Sequence, residues 1–316
     1  MDQGQTSLGG NLCSSGRALI DLYNLSPLLL PPNGLTAAMS YQDRINECNG
    51  FDPSHFKSLH IGKQCIGHVK HQFAEELAQW PSVFKVTDSH VVMNTGSEDG
   101  AVDFEASSHL LAEINRELVS CGVINQTHGE QYPVKNEFEQ PAWLVIDRSA
   151  VPYYGIKAWG QHLNGYVKKN DRLYLWIATR SKNKGTFPGK LDNMVAGGLP
   201  YGITLEDNIA KECREEASVP DSLIHLIRPT GSIRYCVEIE KGLKPDCLFC
   251  YDLELPESFT PVCQDGEVES FALLPVEEVA EIVRDTNRFK SNCNLVIIDF
   301  LVRHGYIDRS VTVTQT

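Results

Sequence analysis

Apolar side chains recur along the chain with two periods, and the changes between them predict where strands and helices lie. Tyr41 to Asn49 reads as a helix. Phe56-Lys-Ser-Leu-His-Ile-Gly62 reads as a short strand ending at its glycine, and Ile66 to Leu77 as a stretch holding a second helix, stopped by Trp80-Pro81. Val83-Phe-Lys-Val-Thr and His90-Val-Val-Met read as strands. Ala106 to Ser120 reads as an amphipathic helix with Leu111, Ile114, Leu118 and Val119 on one side. Up to about Val134 this is an α/β pattern, and Asn136 to Ser149, with Pro141, is expected to be an interdomain connector.

Beyond the connector, Gly155 to Val167 alternates through His162, Asn164 and Tyr166 as a strand does. The turn Lys169-Asn-Asp171 joins it to a second strand, Leu173 to Arg180. Further strands are expected near Ile227 to Arg228, Ser232 to Ile239, Cys247 to Leu255 and Asp265 to Leu274. Helices are expected over Pro275 to Asp285 and Cys293 to His304, the latter ended near Gly305.

Between these two sets of strands lies Ala196-Gly-Gly-Leu-Pro-Tyr-Gly202, a glycine-rich turn running into a helix over Ile203 to Val219. Leu205, Ile209, Cys213 and Ala217 give that helix an apolar stripe. Glu212, Glu215 and Glu216 stand at i, i+3 and i+4, so three carboxylates share a face and repel. One reading is a solvated acidic surface. The other is a hard divalent cation, Mg²⁺ or Mn²⁺, held between carboxylates and substrate phosphates. The glycines favour the second, because Gly197 and Gly198 let backbone come close to a ligand.

The same stretch resembles the Nudix box: Gly, five residues, Glu, seven residues, then Arg-Glu-(apolar)-x-Glu-Glu-x-Gly-(apolar). Gly197, Glu212, Cys213, Glu215, Glu216 and Val219 match it. Ile203 stands where the box has its first glutamate, Lys211 where it has arginine, and Ser218 where it has its last glycine. The resemblance implies a Nudix fold, a mixed β-sheet between helices in an α/β/α sandwich. It implies Glu212, Glu215 and Glu216 as metal ligands. Glu216 or Glu267 would be the general base, with Glu269 as another acidic candidate near the end of the domain.

Composition adds limits. The 316 residues, 42% apolar and 22% charged, suffice for two globular domains. A net charge of −13 argues against nucleic acid as a partner, and no apolar run approaches the roughly 20 residues of a membrane span. A small-molecule diphosphate is the expected partner. In so acidic a chain Arg180, Lys182, Lys184 and Lys190 form an unusual basic cluster before the box, readable as a diphosphate cradle or as a solvated loop. Gly197 and Gly198, with Arg180 and Lys190, are the substrate-binding candidates. Ten cysteines are scattered without a framework; Cys247 and Cys250 are three apart on a strand and face opposite sides. Reduced thiols suit an intracellular protein, with cytoplasm the expected compartment and mitochondrion or plastid the alternatives. His68 and His71 have no third ligand and read as ordinary histidines.

Phe56 to Gly67, Pro81-Ser-Val-Phe84 and Gln131-Tyr-Pro-Val134 are similar to the extra N-terminal domain of one Nudix subfamily. That subfamily includes plant chloroplast proteins and the Nudix part of fungal thiamin pyrophosphokinase fusions. The expected organisation is a poorly ordered lead-in over 1–38, a smaller α+β domain over 39–138, the Nudix domain over 139–308 and a tail over 309–316. The implied reaction is metal-dependent cleavage of an organic diphosphate to a monophosphate and phosphate, with thiamin diphosphate or its oxidised analogues as substrate. Tyr153, Tyr154, Trp159 and Tyr166 read either as core or as a stacking surface for a heteroaromatic ring. Two other readings stay open: a diphosphate-binding protein weakened in turnover, and an enzyme like isopentenyl diphosphate isomerase.

Overall fold

Local side-chain chemistry sets the first element. A computed structural model describes residues 39–95, 102–311 and 313, so the expected lead-in and much of the expected tail lie outside it. Ser40 caps helix α1 (Tyr41–Glu47) by accepting from the Asp43 amide, and the Asp43 carboxylate accepts from the Ser40 amide in return. Strand β1 (Asn49–Gly50) follows. Strands β2 (Phe56–Ile61) and β3 (Gln64–Lys70) then make a hairpin, turned at Gly62 with φ 55°. Helix α2 (His71–Leu77), β4 (Phe84–Val86), β5 (His90–Met93) and helix α3 (Phe104–Ser120) complete this region. The sheet order is β3-β2-β5-β4.

Helix α2 lies within the stretch from Ile66 to Leu77 expected to hold one, and Ile66 to Lys70 before it is strand. Gly67 disfavours helix there, and a side chain on it would press on the carbonyls of Tyr154 and Gly155. Strands β6 (Gln131–Val134) and β7 (Leu144–Asp147) pair as a hairpin across the expected connector, and the short helix α4 (Val151–Tyr154) follows. Tyr132, Val134, Leu144, Ile146 and Tyr154 share one core with Leu59, Phe84, Leu111 and Ile114. Residue 138 lies in the loop of this hairpin, with that core on both sides of it.

The second half is a mixed sheet covered on both faces. Its strands are β8 (Trp159–Lys169), β9 (Arg172–Arg180), β10 (Leu191–Asp192) and β11 (Val195–Gly198) before helix α5 (Leu205–Ala217). After the short helix α6 (Asp221–Ile224) come β12 (Arg228–Arg234), β13 (Cys236–Ile239), β14 (Gly242–Lys244), β15 (Cys247–Glu254) and β16 (Val268–Pro275). Helices α7 (Val276–Asp285) and α8 (Ser291–Arg303) end the fold. The order is β10-β9-β8-β15-β12, with β11 on β8 and β16 on β9. The turn between β8 and β9 has Asn170 and Asp171 both at positive φ, the geometry that suits the twist of a two-residue hairpin.

Helix α5 packs its stripe, Ile209, Cys213 and Ala217, on Leu163, Val195, Tyr251 and Leu253. On the opposite face α7 and α8 bury Val279, Val283, Leu295 and Ile298 against Leu175, Ile177, Leu248 and Cys250. This is the α/β/α arrangement expected. Cys247 and Cys250 are buried in different clusters, as strand alternation requires, and the nine cysteines among the described residues are free. Helix α1 does not join the four-stranded sheet. Its Ile45, with Cys48, enters the core under α7 and α8, and β1 pairs with β13.

Candidate active site

Residues four apart on α5 build one ridge along β11. The Asn208 amide donates to Gly198 O at 2.9 Å and to Gln161 Oε1 at 2.7 Å. Gln161 in turn donates to Leu205 O and to the Tyr251 hydroxyl. One turn on, the Glu212 side chain lies where a side chain of Gly197 would be. One further turn on, Glu216 Oε2 accepts from the Ala196 amide at 2.8 Å. Helix and strand are thus locked in register, and two carboxylates run against glycine-bare backbone. Neither Asn208 nor Gln161 was marked by the sequence reading. The available signal was a polar residue four before Glu212 on the same ridge.

The three glutamates are not equivalent. Glu216 is 5% exposed, and the Glu212 side chain 12%. Glu215 is 45% exposed and pairs with Lys211 at 3.0 Å, and Lys211 also reaches Glu212 at 3.3 Å. Burial pushes the Glu216 carboxyl up to about 8; Glu212, Asp192 and Glu267 add to the rise, and the Ala196 amide works against it. Glu212 is also raised, by burial first and then by Glu215 and Glu267, against the pull of Lys211. Glu267 is therefore near enough for its charge to act on both Glu212 and Glu216. It precedes β16 and pairs with Lys184, and Glu269 beside it pairs with Lys182 at 3.3 Å.

A set of hard oxygen donors that repel one another in a half-dry place suits a divalent cation, whose charge offsets both the burial and the repulsion. Glu212, Glu216 and Glu267, with Glu215 at the rim, have the donor chemistry for one. The tightest group of potential ligands among the described residues is a different one: His162, Asp192 and Cys293, within 4.8 Å of one another. That group is internally satisfied. The Cys293 thiol donates to Asp192 at 2.7 Å, and Asp192 pairs with Arg180 at 2.7 Å and Lys290 at 3.6 Å. Burial brings His162 down to about 4; burial opposes ionisation of Asp192, but Lys290 and Arg180 hold it at about 2. With two cations already on its only carboxylate, this is a core network.

Arg180 belongs to that network, which answers the expectation that it cradles phosphate. Besides Asp192 its guanidinium donates to Phe187 O and Thr186 O, closing the loop after β9. Lys190 donates to Asn287 O. Neither bonds one of the three glutamates, whereas Gly197 lies against Glu212. Ile203 packs on Trp159, Leu199 and Cys247, an apolar niche in place of the first box carboxylate. Tyr153, Tyr154 and Trp159 are buried in cores and Tyr166 packs on Phe300, so the four aromatics read as structural. A groove of about 590 Å³ lined by Leu205, Ile209, Ile224 and Phe249 runs along α5 and holds none of the three glutamates. His71 bonds Ser54 O, and no helix among the described residues is long and apolar enough to cross a membrane.

A family model described as NUDIX domain matches residues 165–293, and one described as a domain of unknown function (DUF4743) matches 38–158. Nudix hydrolase 20, chloroplastic, of Arabidopsis thaliana is 40% identical over 276 residues, covering 84% of this chain and 73% of its own. Nudix hydrolase 24, chloroplastic, of the same plant is 38% identical over 291 residues, covering 91% and 79%. Among solved structures, the NUDIX domain of Shewanella oneidensis NrtR complexed with ADP ribose covers 50% of this chain and 94% of its own at 14% identity and a TM-score of 0.38.

Proposed function

The chain belongs to the Nudix hydrolase family, and from that premise we propose that it cleaves an organic diphosphate into a monophosphate ester and phosphate. Nudix hydrolases are pyrophosphohydrolases that use a divalent metal ion, and Mg²⁺ or Mn²⁺ is the ion we assign. The observation that carries the site is Glu216: a buried carboxylate aimed by the Ala196 amide and surrounded by Glu212 and Glu267. Glu212, Glu215 and Glu216 would hold the ion. Bound there, a divalent cation polarises phosphoryl oxygens and acidifies water. Glu267 or Glu216 takes the proton of the attacking water on a carboxylate oxygen. Lys184 steadies Glu267, and the bare backbone of Gly197 and Gly198 leaves room for phosphate.

Thiamin diphosphate and its oxidised analogues are the first substrates to try. Support for them is the resemblance of Phe56 to Gly67, Pro81-Ser-Val-Phe84 and Gln131-Tyr-Pro-Val134 to the thiamin-linked subfamily. The names of the Arabidopsis relatives make a plastid the compartment to examine first, by fractionation.

The test is phosphate release from a panel of diphosphates, thiamin forms included, with Mg²⁺ and with Mn²⁺. Wild type should turn over at least one. Glu216→Gln should lose about 10²–10⁴-fold in kcat, the range for removing a positioned acid–base group. Equal rates would remove Glu216 from the chemistry. Ile203 in the place of a carboxylate favours a second reading, binding without turnover, which calorimetric binding with no product would establish.

A further inference from the structure

The hairpin β6–β7 lies on the glycine strand of the site. The Tyr201 amide donates to Gln131 O at 2.7 Å, joining the hairpin to the loop after β11. A side chain on Gly198 would overlap the Tyr132 hydroxyl and come within 3.4 Å of Arg148 Cζ. The Arg148 guanidinium stands 5.6 Å from the Tyr132 ring centre, in range of a cation–π contact. Both groups sense the acidic site: Glu212 is among the charges acting on Tyr132, and Glu267 among those acting on Arg148.

Arg148 is also firmly placed. The preceding Asp147 carboxylate accepts from the amides of His128, Gly129 and Ser149 and from the Ser149 hydroxyl. Arg148 Nη1 donates to Glu130 at 2.8 Å, its one side-chain hydrogen bond among the described residues. Nε and Nη2 keep their donors, and the side chain is 40% exposed. The basic groups before the box are each engaged elsewhere: Arg180 with Asp192, Lys182 with Glu269, Lys184 with Glu267, and Lys190 with Asn287 O.

We propose that Arg148, braced on Tyr132, binds the diphosphate of the substrate, so that the N-terminal region completes the active site. A planar guanidinium offers a phosphate two parallel N–H donors, which a lysine cannot match. The glycine at 198 is what lets Tyr132 and Arg148 come so near the strand that carries the site. The bound diphosphate would then sit between a cation from one region and a metal-binding ridge from the other. This assignment rests on the diphosphatase reading and names the cation that reading lacks.

The test uses the full chain with Mg²⁺. It measures KM and kcat on whichever diphosphate the panel identifies, and binding of methylenediphosphonate by calorimetry. Arg148→Ala should raise both KM and the dissociation constant of the probe about 10- to 100-fold, the range for losing hydrogen bonds to a charged group. Its melting temperature should stay near that of wild type. Arg148→Lys should recover only part, and Tyr132→Phe, which keeps the ring, should weaken binding less than Tyr132→Ala. Unchanged KM and probe binding in Arg148→Ala would overturn the assignment, as would a fall in kcat alone. If wild type hydrolyses nothing, the diphosphatase reading fails. Loss of probe binding in Arg148→Ala would still support the anion site in that case, and equal probe binding by the two proteins would overturn it.

Discussion

Glu216 is buried where a carboxylate is costly, and its proton follows from that. Its carboxyl stands at about 8 in the folded chain, against about 4.3 for an unfolded glutamate. An acid raised on folding binds its proton more tightly when folded. It therefore costs nothing below about pH 4, costs progressively more up to about pH 8, and costs a constant amount above. In EDTA, urea midpoints of wild type should fall as pH rises from 5 to 8.5. Glu216→Gln should lose much of that slope, and Mg²⁺ should flatten it for wild type. Identical slopes in the two EDTA series would sink the argument. Gly197 yields a second prediction. A methyl group there would overlap Glu212 Cδ and lie 2.8 Å from its Oε1, and that carboxylate can swing away. Gly197→Ala should therefore change stability by less than about 1 kcal/mol, as a flexible end gives way cheaply, yet lower activity at least tenfold. A large fall in the urea midpoint with activity intact would reverse this. The three glutamates were legible from spacing alone. Their division of labour was not, because neighbours on a helix diverge by about 100°. Glu216 therefore turns to β11 while Glu215 turns out to Lys211. Arg180 was misleading for a related reason: its charge was visible, and its partner Asp192, on another strand, was not.

Helix α5 ends in a conformation that its sequence resists. Ser218 adopts φ 52°, ψ 36°, left-handed backbone that favours the glycine of the Nudix box. The serine has compensation. Its hydroxyl donates to Val262 O at 2.6 Å and accepts from the Gln264 amide at 2.7 Å, while Gln264 N reaches Glu215 O. The departure from the box thereby ties the helix to the segment leading into Glu267. Ser218→Ala keeps the strain and loses the tie, so it should cost about 1–3 kcal/mol and lower kcat by loosening Glu267. Ser218→Gly loses the tie but gains about 1 kcal/mol of backbone ease, and should lie between Ala and wild type in urea midpoint. An alanine variant as stable as wild type would show that the hydroxyl contributes nothing. At this scale most strands and helices could be read from periodicity, since each carries its own buried face. Where the helix begins within Ile66 to Leu77 could not, because a short apolar run becomes strand or helix according to its neighbour, here β2. The hairpin β6–β7 went unread for the same reason: Leu144-Val-Ile146 is a short apolar run just after Pro141, too brief to stand out from a linker.

Across the whole molecule, long-range packing decides where the pieces go, and that was the least legible level. Helix α1 was readable as a helix, but nothing local says that Ile45 is buried under α7 and α8. The buried Arg44 holds it there, donating to Val283 O at 3.0 Å and Arg284 O at 3.3 Å and pairing with Glu47 and Asn287. Strand β1 adds a parallel pairing with β13. The hairpin β6–β7 meanwhile reaches the glycine strand of the site, so the region matched by the N-terminal model touches the Nudix region at separate places. The described residues cluster as one compact unit, which should unfold as one. Ile45→Ala removes a buried side chain from a core made mainly by the other half of the chain and should cost about 2–5 kcal/mol. In calorimetry that loss should appear as a lower midpoint of a single transition. Methylenediphosphonate with Mg²⁺ should raise the same transition in both proteins by mass action, although residue 45 is in neither the acidic ridge nor the hairpin. If the two regions were independent, two transitions would appear, and the ligand would raise one of them alone. A substitution at one end of the chain and a ligand at the other then report on the same equilibrium only if the packing described here holds in solution.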